Sequence, residues 1–232
     1  MQTPVASKAV LLLSGGLDSY TAGAIARREG YNLYALTVRY GQVHAREIEA
    51  ARDVAKNLGV TKHVELNVDL AAFGGSTLVG DGTIPKDRDL DDPGIPSTYV
   101  PARNTIFLSL ALGWAEVLGA EAIVLGVNAL DYSGYPDCRD DTVKAMQVAL
   151  TLGLDKRVAI HTPLMWIDKA ETFALAVEIG GEAFLDLLIE DSHSCYLGDR
   201  GKRHDWGYGC GTCPACQLRA QGFAKFKTSK RP

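Results

Sequence analysis

A doubly wound parallel α/β sheet is the fold class this sequence predicts, and three observations predict it. Apolar runs of strand length alternate with amphipathic stretches of helix length from residue 9 to residue 179. The first run, Ala9 to Leu13, is apolar throughout, as a parallel strand covered on both faces must be. It then breaks into Ser14-Gly15-Gly16-Leu17-Asp18-Ser19, a glycine turn that opens directly onto a helix.

Composition sets the outer bounds. A chain of 232 residues can bury one core and carry a small appendage, and 47% hydrophobic with 22% charged residues is ordinary for a globular protein. No apolar run approaches a membrane span, and residues 1 to 8 lack the apolar core of a signal peptide, so a cytoplasmic enzyme is expected. The formal charge of −4 hides an asymmetry, because Leu197 to Pro232 hold eight Lys/Arg against two Asp. No aromatic stacking pattern interleaves with those charges beyond Phe223 and Phe226 among the last lysines, which favours a solvated, partly frayed tail over a nucleic-acid surface.

Taken in order, Ala9–Leu13 is the first strand and Tyr20–Glu29 the first helix, stopped by Gly30. The glycine pair between them lets backbone amides turn toward an anion, and the helix N-terminus adds partial positive charge. No Gly-Lys-Ser/Thr follows, so this is not a Walker A loop, and the Gly-x-Gly-x-x-Gly spacing of dinucleotide folds is absent. An ordinary strand-to-helix turn is the plainer alternative. Tyr31–Tyr40 is the second strand, and Tyr40-Gly41-Gln42-Val43-His44 leads from it into a helix with Ile48, Ala51, Ala55 and Leu58 on one face. Gln42 and His44 thereby fall at a strand's carboxyl end, where such sheets bind ligands, although a lone His44 is equally at home as a surface or capping residue.

Val64–Val68 is the third strand. Ala71 to about Pro101 then loses all pattern and is rich in Gly, Pro and Asp, the composition of a flexible cover near a site. Tyr99-Val100-Pro101-Ala102-Arg103-Asn104 leads into Thr105–Leu118, a nearly uncharged helix expected to be buried. Arg103 at its head can meet phosphate or substrate, or pair with the acidic loop. Ala120–Gly126 is the fourth strand and delivers Asn128, Asp131, Tyr135, Asp137 and Arg139 to the same edge. A carboxylate accepts two donors and a guanidinium offers a planar fork, so Asp137 with Arg139 suits a flat heterocycle or a carboxylate. Asp141–Leu152 is helix and Val158–Ile160 the last strand. Asp168-Lys169-Ala170-Glu171 is a capping box that leaves Lys169 without a capping role.

Four of the five cysteines cluster, Cys195, Cys210, Cys213 and Cys216, in the spacing Cys-x14-Cys-x2-Cys-x2-Cys. Four thiolates complete a tetrahedral zinc site that is structural and closed, and an iron-sulfur cluster is the competing reading. Cys138 stands alone and reads as a packing residue. These features divide the chain at about residue 190 into an α/β domain (1–190) and a four-cysteine segment (191–232).

The Ser-Gly-Gly-x-Asp-Ser loop resembles the pyrophosphate loop of the ATP pyrophosphatase superfamily, whose Rossmann-like fold is that of the adenine nucleotide alpha hydrolases. Adding Tyr40-Gly41-Gln42 with His44, Val100 to Asn104, Asp131 to Arg139, Thr162 to Glu171 and Ser194-Cys195-Tyr196 with Cys210 to Cys216, the chain resembles the 7-cyano-7-deazaguanine synthases of queuosine and archaeosine precursor synthesis. The resemblance covers nearly the whole chain. It implies conversion of 7-carboxy-7-deazaguanine to the nitrile with ATP, Mg2+ and ammonia, structural Zn2+, and a homodimer. Leu13, Ser14, Gly15, Gly16, Leu17, Asp18, Ser19, Tyr40, Gln42 and Arg103 would then hold the nucleotide, with Asp18, Lys169 and Arg103 catalytic. His44, Asn128, Asp131, Tyr135, Asp137 and Arg139 would hold the base. Two relatives within the superfamily remain open, a tRNA-modifying adenylase or thiolase and an enzyme joining the activated deazaguanine to another amine. So does a binding module without turnover. Ala102 stands where the family commonly has glycine, and the span from Cys195 to Cys210 is longer than expected.

Overall fold

Five parallel strands form one sheet in the computed structural model, which describes residues 6–80, 82–90, 92, 94–129, 134–154 and 156–229. They are β1 (Lys8–Leu12), β2 (Asn32–Arg39), β3 (Lys62–Asn67), β4 (Ala122–Val124) and β5 (Ala159–His161), in the order β3-β2-β1-β4-β5. Val10 stands opposite Tyr34 on one side and Ile123 on the other, which fixes β1 at the centre. The chain winds outward from β1 through β2 to β3, then returns to the opposite side of β1. That reversal is the switch point at which open α/β sheets leave a ligand crevice beyond the strands' carboxyl ends.

Alternate residues leaving β1 serve two cores. Ala9, Leu11 and Leu13 pack with α1 (Leu17–Arg28), α2 (Arg46–Asn57) and α5 (Lys169–Asp191), whereas Val10 and Leu12 pack with α3 (Arg103–Leu118) and α4 (Asp140–Leu152). With both faces covered, the strand must be apolar at every position, and this is the signal in its sequence. α5 starts in the expected capping box, Asp168 accepting from the Glu171 amide at 2.9 Å and Glu171 from the Asp168 amide at 2.8 Å.

Two expectations are corrected. The scarcity of charge in residues 105–118 predicts a helix buried all round, but α3 buries Asn104, Leu108, Ala111 and Ala115 as one stripe and leaves Val117 83% exposed. A helix lying on a sheet has only one face to bury there. The basic tail, expected to fray, is instead α6 (Pro214–Ser229), reached through the hairpin β6 (Arg203–His204) and β7 (Gly207–Tyr208). Phe223 and Phe226 lie 5.1 and 5.9 Å from Phe173 of α5, so this face of the tail closes the core while Lys225 and Lys227 stay exposed. The charge count concealed an amphipathic helix.

The segment from Ala71 to Pro101 buries Leu78, Val79 and Ile84 and bridges Val79 to Gln42. Its later residues Leu90, Pro96 and Thr98 wall the crevice, as expected of a cover. Ala102, the residue before α3, adopts the left-handed conformation with φ of 56°. That backbone favours glycine, so alanine is held there at a steric cost of about 1 kcal/mol. Among the described residues no helix is long and apolar enough to cross a membrane.

Candidate active site

Beyond β1 the chain makes the turn that the sequence predicts, and the turn is built from the loop's own side chains. Ser14 Oγ and Ser19 Oγ lie 3.1 Å apart, the Gly16 amide donates to Ser14 Oγ at 3.3 Å, and Ser19 Oγ donates to the Gly16 carbonyl at 3.1 Å. α1 begins with no side-chain cap, so its first amides face the crevice without a protein acceptor from such a cap. Gly15 has φ of 80°, and a Cβ there would stand 2.5 Å from the Ala51 amide nitrogen and the Glu47 carbonyl of α2. Only glycine lets the loop lie so close to that helix. Gly126 plays the matching part after β4, since its Cβ would stand 2.8 Å from the Asp18–Ser19 backbone. The outcome is a ring of donors at a helix N-terminus, an anion cradle.

The cradle opens into a cavity of about 290 Å3. Leu13, Ser14, Gly16, Leu17, Asp18 and Ser19 line it, and so do Tyr40, Gln42, Arg103, Asn128, Tyr135 and Lys169. Lys169, 151 residues further along the chain, arrives from the start of α5 and grips both oxygens of Asp18, at 2.8 and 3.0 Å. Its side chain is 12% exposed, so the pair is shielded from water on most sides. Among the described residues Arg103 makes no ion pair with the acidic loop; it donates to Tyr40 Oη at 3.2 Å and lies 5.2 Å from that ring's centre. Gln42 accepts from the Tyr40 amide at 2.8 Å and thereby fixes the turn that presents Tyr40. At the far wall Tyr135 Oη meets Thr98 Oγ1 at 2.8 Å and Tyr196 Oη at 3.3 Å, a polar cluster beside Asn128.

Three members of the expected base-binding set stand elsewhere. Asp137 is buried and committed to α3, accepting from the Asn104 amide at 2.7 Å and from Asn104 Nδ2 at 3.3 Å. Arg139 is exposed just ahead of α4. His44 turns its ring toward His193, 6.0 Å away, and away from the cavity lining. Asp131 lies outside the described residues. The Asp137 role makes a stability prediction: Asp137→Ala removes two hydrogen bonds from a buried helix start and is expected to cost about 2 kcal/mol. Urea denaturation reads this directly, and Asp137→Asn should recover part of it. Cys138 is also committed to packing, because burial, with the Asp137 carboxylate beside it, pushes its thiol up to about 12.

The cavity also contains groups that sequence reasoning missed. Arg219 of α6 is 1% exposed and donates to the Trp206 carbonyl at 2.8 Å, to Leu188 O at 3.3 Å and to Ser194 Oγ at 3.3 Å. It ties together the end of α5, the hairpin and the segment carrying Cys195. Burial pulls its pKa down to about 10, which leaves it a cation at neutral pH. Glu47 of α2 and His193 also line the wall. Burial raises the carboxyl of Glu47 above its ordinary range, partly offset by His44 and Arg103. Neither residue has a sequence signature beyond its position at an element's end; for Arg219 the one available hint was a charge on the buried face of an otherwise amphipathic tail.

Beside the cavity the four cysteine sulfurs lie within 4.8 Å of one another, with Cys210 Sγ and Cys216 Sγ 3.9 Å apart. Bonds of about 2.3 Å to a tetrahedral ion require sulfur separations of about 3.8 Å. The Cys213 and Thr212 amides donate to Cys210 Sγ at 3.3 and 3.5 Å, and the Cys210 amide donates to Cys195 Sγ at 3.4 Å. Amides aimed at sulfur favour thiolate, so the donor set fits a single metal ion.

An anion cradle at the switch point of a parallel sheet, with a lysine–aspartate pair at its mouth, defines a doubly wound α/β protein built to hold an anionic ligand beyond its strands. The family is more specific. A model described as Queuosine biosynthesis protein QueC matches residues 8–227, and the chain belongs to that family. It is 46% identical over 235 residues to a 7-cyano-7-deazaguanine synthase of Azorhizobium caulinodans, covering 97% of this chain and 95% of that one. A 7-cyano-7-deazaguanine synthase of Methylorubrum extorquens is 47% identical over 232 residues, with 96% and 94% covered.

Proposed function

We propose that this enzyme converts 7-carboxy-7-deazaguanine, ATP and ammonia to 7-cyano-7-deazaguanine. The observation that carries the reading is the uncapped cradle of Ser14 to Ser19 opening, with Lys169, into the same cavity as the polar cluster of Asn128 and Tyr135. A carboxylate cannot expel oxide, so its oxygen attacks the α-phosphorus of ATP and pyrophosphate leaves. Ammonia then attacks the acyl carbon, AMP leaves and a proton is lost, giving the amide. The amide oxygen attacks a second ATP in the same way. Loss of AMP and the two remaining N–H protons forms the carbon–nitrogen triple bond.

In this reading the cradle binds pyrophosphate oxygens and Lys169 meets the charge that develops at phosphorus, with Arg103 and Tyr40 beside the nucleotide. Asn128, Tyr135, Thr98 and Tyr196 replace Asp137, Arg139 and His44 as the base-recognising set. Asp18 offers a carboxylate for the Mg2+ that accompanies ATP, where the ion would screen phosphate charge. The cysteine set would hold Zn2+, since one tetrahedral ion fits sulfurs this close and a multi-iron cluster needs them farther apart. The division near residue 190 then separates the part that handles ATP from the segment that the metal shapes, in a cytoplasmic enzyme. Incubation of the acid with ATP, magnesium and ammonium tests the reading: mass spectrometry is expected to find the nitrile, and finding neither nitrile nor amide would sink it.

The same protein is proposed to be a homodimer. Val117 of α3 and Val148 and Leu152 of α4 are 83%, 60% and 82% exposed on adjacent helices, an apolar face that a second copy would cover. Leu152→Glu is expected to yield monomer in analytical ultracentrifugation. A wild-type chain sedimenting as monomer at micromolar concentration would contradict this.

A further inference from the structure

The wall between the start of α2 and the exit of α5 has a character unlike the rest of the cavity. His193 is 1% exposed and lines the cavity, yet among the described residues neither ring nitrogen has a hydrogen-bond partner. Its position is not loose, because its amide donates to the Gly15 carbonyl at 2.9 Å. Glu47 lines the same cavity, and among the described residues its carboxylate makes no hydrogen bond or ion pair. Behind them His44 Nδ1 is likewise buried and unpartnered. A buried polar atom left unsatisfied costs about 1–3 kcal/mol, so the two bare nitrogens of His193 on a cavity wall, next to an unpaired carboxylate, mark a place for a polar ligand.

The chemistry of that ligand follows from what the wall offers. A carboxylate only accepts and a neutral imidazole offers one accepting nitrogen beside one N–H, and the Glu47 carboxylate has no bonded counter-ion among the described residues. ATP phosphates would be repelled by this carboxylate, and the amides of the neighbouring cradle, the N-terminus of α1 and Lys169 offer them donors and positive charge instead. A flat base has Asn128 and the tyrosine cluster. What remains is a small cationic donor. Resting on the reading above, whose third substrate is ammonia, we infer that Glu47 and His193 form an ammonium subsite, the carboxylate pairing with its charge and an imidazole nitrogen accepting an N–H. Such a subsite holds nitrogen beside the activated acyl group in place of water, which would return the acid.

Two measurements test the subsite. The first is binding without turnover: the 15N NMR signal of 15N-ammonium chloride is expected to broaden on adding the wild-type protein and to stay sharp with Glu47→Gln at equal ionic strength in sodium chloride. Equal broadening by both, or none by the wild type, overturns the inference. The second is kinetic. Glu47→Gln and His193→Phe are expected to raise the KM for ammonium chloride at least tenfold, while pyrophosphate–ATP exchange with 7-carboxy-7-deazaguanine, run without ammonium, stays within twofold. An unchanged KM, or exchange that falls in step with it, overturns the inference. If exchange is absent in the wild type while ammonium still broadens, the reading of the substrate fails and the subsite stands.

Discussion

Lys169→Ala is expected to reduce adenylation by about a thousandfold, with only a modest change in thermal stability. The reason lies in what surrounds its ammonium group. Lys169 Nζ bridges both oxygens of Asp18 at 2.8 and 3.0 Å, within a cavity that also holds the phosphate cradle. Truncation removes the cation and also leaves the Asp18 carboxylate unbalanced where phosphate oxygens must come. Both effects act against negative charge accumulating at phosphorus. Lys169→Arg should recover a minority of the activity, because the charge returns but a planar fork replaces a compact point charge. Asp18→Asn separates the two contributions: nucleotide should still bind, and the magnesium dependence of the rate should weaken. Pyrophosphate release with the acid as substrate measures all three variants. A Lys169→Ala enzyme retaining more than a tenth of wild-type turnover would remove the lysine from the chemistry.

Substitution in the cysteine set is expected to act on folding first and on activity second. Cys213→Ser, or prolonged chelation, should release the metal ion this set would hold and lower the midpoint of thermal unfolding by tens of degrees, since metal binding in such sites is folding free energy. The structure explains why the damage would spread. Cys195, Cys213 and Cys216 are buried in the same core as Phe173 and Phe223, and Arg219 ties Ser194 to the end of α5. Loss of the ion would therefore loosen His193, Ser194 and Tyr196, which wall the cavity. Metal analysis by mass spectrometry alongside calorimetry checks this. A variant that loses its metal yet melts normally would reduce the site to decoration.

Much of this fold is written in local patterns. Continuous apolar runs marked the central strands because both faces are covered, and the capping box from Asp168 to Glu171 announced α5 by its own two hydrogen bonds. The cradle was legible for a similar reason, since Ser14, Gly16 and Ser19 satisfy one another within six residues. What stayed hidden depends on distant partners. Asp137 and Arg139 are one residue apart in pattern, but one carboxylate turns inward to the Asn104 amide and the guanidinium turns out to water. No spacing rule distinguishes those outcomes. Arg219 reads as one charge in a basic tail until α6 is laid against α5, and nothing near His193 in sequence announces that the Gly15 carbonyl holds its backbone at the cavity wall. The exposed side of α3 was misjudged because apolar composition does not tell how much of a helix a sheet can cover, and here the sheet takes only the stripe of Asn104, Leu108, Ala111 and Ala115.

The most direct test of double activation at this one site follows the oxygen atoms. With both carboxyl oxygens of 7-carboxy-7-deazaguanine labelled with 18O, each adenylation should carry one labelled oxygen into AMP. The expected result is about two AMP per nitrile, each containing one 18O, with no label left on the base. One AMP per nitrile, or unlabelled AMP, would contradict adenylation of both the acid and the amide in the cavity beneath Ser14 to Ser19.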